Sequence, residues 1–455
     1  MSTAPREVAF RVVGETFEDG AFTDLAFRAA ADSAGLEGRE RAQAQRLAYG
    51  AVQRLGTSDA LVRRLAGRSP RLLDPPVRTA LRLGLFELLF SDATPDRAVV
   101  NEAVDLVKAA GAAHAAGFVN AVLRRAGRER EELIALLADD SDPESASVAH
   151  SVPRWLAELW WKELGPQAAR PLLAAGNRAP ERAFRVNPGR VSRAEAIERL
   201  RTAGAAAVAA DGPWPLAAPE ILVVERGIAP ALPLVGGGLL TPQSRASAGV
   251  VEALDPQPGE QVLDLCAGPG TKTGQIAARV GKRGNVVSVE VDEARAGEVA
   301  RQAERLGLRN VTIFEVDAAE TVLDRGFDRV LLDAPCSDLG TLAARPDARW
   351  RKSPEGIARL VRLQETVLAN AARALRPGGI LVYSTCTISR AENEERVAAL
   401  LAAAGEGDLP LLETEDLGSR SPDVASPQDP RFLQTRPDLH GTSGFFVARL
   451  RRADG

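Results

Sequence analysis

The chain has 455 residues and a formal net charge of −4, and 45% of its residues are hydrophobic. This length predicts about three domains, and the charge balance excludes a chain that is basic throughout but allows a local basic face. No apolar run approaches the ~20 residues that cross a bilayer, and residues 1–6 lack the order of a secretory signal. We therefore expect a soluble cytoplasmic protein.

Residues 1–138 are predicted to form an all-α domain. Apolar residues such as Val8, Val12 and Val13 recur at helical spacing, and no β-alternation competes with them. Arginines cluster along these helices, at Arg63, Arg64, Arg68, Arg71, Arg78, Arg82, Arg124, Arg125, Arg128 and Arg130. Such a cluster is usually a solvated helix face, and contact with nucleic acid is the alternative interpretation.

A smaller α+β unit is predicted at residues 145–238, after a polar hinge. Its helix contains Trp155, Trp160 and Trp161, and short strands are predicted at residues 184–188 and 221–224. Residues 239–455 then alternate strands with helices, which predicts a parallel sheet covered by helices. The predicted strands of this third domain are residues 261–265, 285–289, 311–316, 329–333, 379–384 and 444–450.

The first strand of the third domain leads into a glycine-rich loop. The loop consists of Cys266, Ala267, Gly268, Pro269, Gly270, Thr271 and Lys272. Its glycines let the backbone approach a ligand closely. A phosphate-binding loop would have glycine in place of Ala267, and a dinucleotide fingerprint would have glycine in place of Thr273. The loop therefore predicts a nucleoside-type ligand but matches neither phosphate motif.

Acidic residues follow the next two predicted strands. Glu290 is placed to accept the hydroxyl groups of a ribose, and Asp317 could accept an adenine amino group. Each acid alone is more often a helix N-cap. Together with the glycine loop, they favour an adenosine without a phosphate tail, which describes S-adenosylmethionine.

All three cysteines, Cys266, Cys336 and Cys386, lie at predicted strand ends, where α/β enzymes carry their chemistry. Three thiols do not suggest a disulfide framework, and the alternative for each is a small buried hydrophobe. Methylation of carbon 5 of a pyrimidine needs a thiolate that adds to carbon 6, a group at the ring edge and a base for release. Cys336, Cys386 and Asp333 could supply these groups.

A thiolate also favours a positive neighbourhood, and the segment between the two cysteine motifs is rich in arginine. We expect Trp350 in this segment to be available for stacking on a base. The candidate cations of the segment are Arg345, Arg349, Arg351, Lys352, Arg359 and Arg362. His114, His150 and His440 are far apart in sequence, so we expect no metal site.

These motifs together resemble the RNA 5-methylcytosine methyltransferases, most closely the bacterial ribosomal RNA branch called Sun or RsmB. The resemblance extends over nearly the whole chain. It rests on residues 117–125, 151–155, 185–187, 262–272, 333–337, 345–350, 384–387 and 440–446. It implies a NusB-like N-terminal domain, a small linker domain and a C-terminal Rossmann-like methyltransferase domain that uses S-adenosylmethionine.

The resemblance also implies roles for individual residues. Cys386 matches the nucleophile, Cys336 the cysteine that releases product, and Asp333 the residue that contacts both cofactor and cytosine. The loop from Cys266 to Lys272, with Glu290 and Asp317, matches the cofactor pocket. DNA cytosine methyltransferases instead place the nucleophile at the Pro-Cys position of Cys336, and the Thr-Cys motif at Cys386 favours the RNA assignment.

Some positions depart from the family pattern. Gly268 and Thr271 replace an alanine and a glycine, Ser244 replaces an aspartate, and alanines at residues 343–344 replace arginines. None of these changes removes a catalytic group.

The resemblance implies that the partner is small-subunit ribosomal RNA, as naked RNA or in an assembly intermediate, and we expect a monomer. One alternative is the same chemistry on transfer RNA. The other is a non-catalytic RNA-binding factor that has kept only the fold of an enzyme. The presence of Asp333, Cys336, Cys386 and Lys272 argues against the second alternative.

Overall fold

The structure is a computed structural model that describes residues 3–91, 94–321 and 326–454. The chain forms two compact units. The first comprises the described residues up to Arg178 together with the segment Leu342–Lys352, and the second comprises Ala179–Thr341 and the chain from Ser353 onward. Within the described ranges, no helix is both long and apolar enough to cross a membrane.

The first unit is built from helices, as the sequence predicts. They are α1 (Ala4–Glu18), α2 (Thr23–Ser33), α3 (Gly38–Gln53), α4 (Leu55–Ala66), α5 (Pro75–Phe90), α6 (Asp96–Ala109), α7 (Ala116–Arg128), α8 (Arg130–Leu137), α9 (Pro143–Ala149), α10 (Arg154–Leu164) and α11 (Pro166–Ala175). Helix α5 is mostly apolar and packs into two cores: Leu83 and Phe86 belong to one, and Leu81, Leu85 and Leu88 to the other. An apolar helix of this kind is buried at the centre of its domain.

The second unit contains two sheets. Their strands are β1 (Ala183–Val186), β2 (Ala206–Ala209), β3 (Ile221–Arg226), β4 (Leu240–Pro242), β5 (Gln261–Leu265), β6 (Asn285–Glu290), β7 (Val311–Glu315), β8 (Phe327–Asp333), β9 (Leu375–Thr385), β10 (Leu412–Thr414), β11 (Leu433–Gln434) and β12 (Phe446–Arg452). The smaller sheet is antiparallel with the order β2-β3-β1-β4. The larger sheet is mixed and has the order β10-β12-β9-β8-β5-β6-β7, with β11 paired to β12.

Helices cover the strands of the second unit. The helices that follow α11 along the chain are α12 (Arg193–Thr202), α13 (Ala231–Gly236), α14 (Arg245–Leu254), α15 (Thr271–Val280), α16 (Glu293–Leu306), α17 (Ala348–Arg351), α18 (Pro354–Ala374), α19 (Glu394–Gly405) and α20 (Pro437–His440), of which α17 belongs to the first unit. Side chains alternate across the larger sheet: Val262 and Leu331 pack in one core, and Leu263 and Leu332 in the other. The sheet is therefore buried on both faces.

Strand β5 occupies the position where the order of the sheet reverses. It pairs in parallel with β6 on one side and with β8 on the other. Ligands of open α/β sheets bind outside the carboxyl ends of the strands at such a point. The fold thus places a binding crevice next to the loop that follows Leu265.

The predicted strands of the third domain are confirmed, with ends that differ by a few residues. The larger sheet is mixed because β12 runs antiparallel to β9. Strands β2, β4, β10 and β11 were not predicted; they are only 4, 3, 3 and 2 residues long, too short for a clear periodicity. Helix α10, with Trp155, Trp160 and Trp161, lies in the first compact unit.

Segment 342–352 is fixed in the first unit by the side chain of Arg349. Its guanidinium group is buried and donates to the carbonyl oxygens of Ser151 at 3.0 Å and Gly176 at 2.7 Å, and to Oδ1 of Asn177 at 2.9 Å. Burial lowers the pKa of Arg349 to about 9. Trp350 donates from Nε1 to the carbonyl oxygen of Val52 at 2.9 Å.

Arg349→Met is expected to destabilise the first unit by about 3 kcal/mol, because buried carbonyl groups lose their donors at a cost of roughly 1–3 kcal/mol each. The measurement is urea unfolding followed by circular dichroism. Arg63→Met is the matched control, since Arg63 is exposed on the same unit. An unfolding midpoint equal to that of the control would contradict this role of Arg349.

Candidate active site

The predicted catalytic residues come together because β5, β8 and β9 are parallel neighbours. Asp333 is the last residue of β8 and lies opposite Ser384 of β9 in the strand register. Cys386 directly follows β9, and Cys336 follows β8 by three residues. Parallel strands bring their carboxyl ends to one edge of the sheet, so these side chains share one site.

The thiols of Cys336 and Cys386 are in direct contact. Their sulfur atoms share a hydrogen bond with an Sγ–Sγ distance of 3.3 Å. Cys386 also donates from Sγ to Oδ1 of Asp338 at 3.0 Å. The sequence predicts the two cysteines as a pair, whereas Asp338 carries no motif that would have identified it.

A buried glutamate fixes the loop that carries Cys336. Glu392 accepts hydrogen bonds from the backbone N–H of Ser337 at 2.8 Å and from the Ser337 hydroxyl. Gln364 donates to the same carboxylate at 3.2 Å. The N–H of Gly340 donates to the carbonyl oxygen of Cys386 at 3.0 Å, so backbone contacts also join the two cysteine segments. Sequence analysis did not identify Glu392, since an acid in a charged stretch with Glu394 and Glu395 is typical of an exposed surface.

Asp333 is held from two sides. Lys272 forms an ion pair with Oδ2, and the hydroxyl of Ser384 donates to Oδ1 at 2.7 Å. The Nζ atom of Lys272 also lies 4.9 Å from the centre of the Phe445 ring. The lysine of the glycine loop thus connects that loop to Asp333, a pairing that sequence spacing could not reveal.

The glycine loop needs its glycines. A Cβ atom at Gly268 would lie 2.5 Å from Oε2 of Glu290, and one at Gly270 would lie 3.0 Å from the Cα of Val299. Gly270 also has a φ of +93°, in the region that favours glycine. Glu290 accepts from the N–H of Gly268 at 2.9 Å, so the loop and the end of β6 are joined. The glycines therefore allow the loop to pack closely against β6 and α16, and its binding of a ligand stays a prediction.

The remaining residues of the predicted pocket are Asp317, which follows β7, and the two ends of the loop. Asp317 accepts from the N–H of Ala319 at 2.8 Å, a local turn contact. Lys272 lies in the first turn of α15, whose start at Thr271 closes the loop. Cys266 has a φ of 60°, and burial raises the pKa of its thiol.

We expected positively charged side chains around Cys386, but the groups that shift the pKa of its thiol are another thiol and two acids. Its hydrogen bond with Cys336, burial, and then the charges of Asp338 and Asp333 raise the pKa of the Cys386 thiol well above its ordinary value. The prediction that Arg349 would be available to the thiolate is wrong, because its buried guanidinium group donates to carbonyl oxygens within the first unit. Trp350 is half-buried and donates to the carbonyl oxygen of Val52, and its stacking on a base stays a prediction.

Asp264 of β5 is a buried acid beneath the glycine loop. Burial raises its pKa to about 7, and a hydrogen bond from the Thr273 hydroxyl at 2.6 Å partly opposes this shift. A folded-state pKa above the unfolded value gives stability at pH values below the unfolded pKa. That stability is lost as the pH rises through the folded pKa.

Asp264→Asn is therefore expected to gain stability relative to the unmodified protein as the pH rises from about 4 to 8, by an amount on the order of 4 kcal/mol. The measurement compares urea unfolding of the two proteins at several pH values. If the difference in unfolding free energy between the two proteins does not vary with pH, Asp264 is not a buried acid with a raised pKa.

Protein-family models match most of the chain. The model described as 16S rRNA methyltransferase RsmB/F matches residues 251–451. The NusB family model matches residues 3–128, and a ferredoxin-like domain of RsmF/B-like methyltransferases matches residues 152–221. The three matches follow the predicted order of an all-α domain, a small mixed domain and a methyltransferase domain.

Known proteins match the chain over its full length. The probable ribosomal RNA small subunit methyltransferase B of Synechocystis sp. is 34% identical and covers 98% of this chain and 99% of its own. Its counterpart from Bacillus subtilis is 30% identical over 99% of both chains. The crystal structure of PH0851 superimposes with a TM-score of 0.81 and 25% identity over 99% of this chain and 100% of its own. The chain therefore belongs to the RsmB/F family of 16S rRNA methyltransferases.

Proposed function

We propose that this protein transfers a methyl group from S-adenosylmethionine to carbon 5 of a cytosine in small-subunit ribosomal RNA, through a covalent bond between Cys386 and carbon 6. One observation carries the proposal: the thiols of Cys336 and Cys386 lie 3.3 Å apart. A site with two thiols and an adjacent carboxylate, Asp333, supplies the groups that this chemistry requires. Both relatives described above are named as small-subunit methyltransferases, which supports the RNA class.

The sulfur of Cys386 attacks carbon 6 of the cytosine ring. Carbon 5 then becomes enamine-like and attacks the methyl group, which an unactivated ring carbon cannot do. Cys336 acts afterwards in the release of product, the step in which the carbon 5 proton is removed and the sulfur of Cys386 is expelled. Asp333 contacts the edge of the ring, where Lys272 and Ser384 hold its carboxylate in one orientation.

The glycine loop fits S-adenosylmethionine, which supplies the methyl group when bound. Gly268 and Gly270 pack closely against Glu290 and Val299, which holds the loop beside the end of β6. In this proposal the loop from Cys266 to Lys272 holds the cofactor, Glu290 accepts from the ribose and Asp317 from the adenine. The ion pair between Lys272 and Asp333 connects this pocket to the cysteines.

The target cytosine is unpaired or flipped out of its helix, because carbon 6 is inaccessible in a stacked base pair. The domain at residues 1–138 and the unit at residues 145–238 bind RNA in this proposal, and the domain at residues 239–455 carries the chemistry. The protein acts in the cytoplasm as a monomer, on naked RNA or on an assembling subunit.

The test uses ribosomal RNA and 30S subunits from cells that lack this gene. The protein is incubated with each substrate and with methyl-labelled S-adenosylmethionine, and the RNA is then digested to nucleosides for mass spectrometry. The expected result is labelled 5-methylcytidine in 16S ribosomal RNA. Label in another nucleoside, or no label in either substrate, would contradict the proposal.

A further inference from the structure

The carboxylate of Asp338 lies against the proposed nucleophile, and the mechanism above does not use it. Cys386 donates from Sγ to Oδ1 of Asp338 at 3.0 Å. The atoms Sγ of Cys336, Sγ of Cys386 and a carboxylate oxygen of Asp338 all lie within 4.8 Å of one another. A carboxylate in hydrogen-bond contact with a reacting thiol is in position to take its proton.

The backbone at Asp338 is strained. Its φ is 60°, a conformation that costs a non-glycine residue roughly 1–2 kcal/mol. The turn itself does not depend on the carboxylate, because the backbone carbonyl of Asp338 accepts from both the N–H and the hydroxyl of Thr341 at 2.9 Å. Glycine would relax this position without changing the turn. Strain of this kind concentrates at functional sites.

Two further carboxylates, those of Asp333 and Glu392, lie near the cysteines. Asp333 accepts from Lys272 and Ser384 on its two oxygens. Glu392 accepts from Ser337 on both of its oxygens. The hydrogen bond from the Cys386 thiol goes instead to Asp338.

The thiol of Cys386 needs a base at the moment of attack. Its contact with Cys336, its burial and the neighbouring acids raise its pKa, so little thiolate exists near neutral pH. Neighbouring carboxylates repel a free thiolate. A base can avoid that species if it takes the proton while the sulfur–carbon bond forms. Such proton transfer contributes about 10²–10⁴-fold to the rate of a reaction.

We infer that Asp338 is the general base that activates Cys386, an inference that rests on the proposed function. As the S–H bond of Cys386 breaks, its proton passes to a carboxylate oxygen of Asp338, and the sulfur electron pair forms the bond to carbon 6. The π electrons of the carbon 5–carbon 6 bond move onto carbon 5, which takes the methyl group. A base then takes the carbon 5 proton, and the electrons of that C–H bond re-form the carbon 5–carbon 6 double bond. The sulfur leaves with the electron pair of the S–C bond and takes the first proton back from Asp338.

The experiment measures how fast the covalent complex with RNA forms. All variants carry Cys336→Ala, which is expected to stop release, and denaturing gels follow the complex over time. Asp338→Gly relaxes the backbone and Asp338→Asn keeps the shape of the side chain, so both are expected to fold. Asp255→Gly is the matched control, because Asp255 is an exposed aspartate with a φ of 52° in the same unit.

Both Asp338 variants are expected to form the complex at least about 100-fold more slowly than Cys336→Ala alone. Their rates should rise about tenfold per pH unit between roughly pH 6 and 9, as the thiolate fraction grows, and the parent should show a shallower rise. Formate should restore the rate of Asp338→Gly. The titratable groups that face Cys386 are Cys336, Asp338 and Asp333, with Lys272 and Glu392 behind them.

An unchanged rate in both Asp338 variants would overturn the inference and leave the proposed function intact. A slower rate with the parent's pH dependence and no rescue by formate would assign Asp338 to positioning, which also overturns it. No complex with Cys336→Ala alone, at any pH, would instead count against the proposed function. The two failures are therefore distinguishable.

Discussion

Cys386→Ala should abolish methyl transfer, with a rate at least about 10⁴-fold below that of the unmodified protein, because no other group can add to carbon 6 in its place. Cys336 lies only 3.3 Å away, but it follows β8, whereas Cys386 follows β9. The two sulfurs therefore approach a bound ring from different positions. The measurement is single-turnover transfer of labelled methyl groups to 16S ribosomal RNA.

Two controls accompany the Cys386 prediction. Binding of S-adenosylmethionine, measured by calorimetry, should stay within about threefold of the unmodified protein, since Cys386 lies outside the glycine loop. Cys386→Ser should be nearly as inactive as Cys386→Ala, because a hydroxyl group is a far weaker nucleophile than a thiol. Substantial methyl transfer by Cys386→Ala, with full loss in Cys336→Ala, would reverse the assigned roles.

Lys272→Met should lower methyl transfer by about 10²–10³-fold, because the Asp333 carboxylate loses the partner that fixes its Oδ2 atom. Ser384 alone then holds Asp333, and the carboxylate can rotate away from the edge of the cytosine ring. The ammonium group of Lys272 also contacts the Phe445 ring, and this contact is lost. Single-turnover methyl transfer to 16S ribosomal RNA measures the effect.

Lys282→Met is the matched control for Lys272→Met. Lys282 is exposed and follows the same helix, α15, in a short turn. It should retain full activity and show an unchanged unfolding midpoint. A Lys272→Met rate within about twofold of this control would show that Asp333 keeps its orientation without the lysine.

The fold and the meeting of the strand-end motifs could be predicted from the sequence because their signals are local. Strand β5 combines an apolar run with a glycine loop, and Asp333 and Cys336 lie within one short motif. Parallel strands carry their carboxyl ends to one edge of a sheet, so strand-end motifs meet whatever their separation in sequence. Cys336 and Cys386 are 50 residues apart and still in contact.

The contacts between these groups could not be read in the same way. The bonds from Lys272 to Asp333 and from Ser337 to Glu392 join residues 61 and 55 positions apart, and no periodicity encodes them. Asp338 lies next to the motif of residues 333–337, but the sequence alone indicates no role for it. Only its φ of 60° and its hydrogen bond from the Cys386 thiol indicate one. Its side chain becomes interpretable only through the fold.

For segment 342–352, composition led to a function that the structure does not give to Arg349. The arginines and tryptophan of this segment have the composition of an RNA-binding surface, and the sequence favours that interpretation. The structure instead uses Arg349 for packing, with a donor directed at the carbonyl oxygen of Gly176. Composition cannot distinguish an arginine that binds phosphate from one that satisfies buried backbone groups, because both roles use the same five donors.

Covalent trapping tests the central claim most directly. Cys336→Ala is incubated with S-adenosylmethionine and 16S ribosomal RNA, and the products are separated on a denaturing gel. We expect a stable protein–RNA complex that is absent from the double variant Cys336→Ala, Cys386→Ala, and sequencing of its RNA would identify the modified cytosine. A complex that persists without Cys386, or no complex although the variant binds S-adenosylmethionine, would contradict the account.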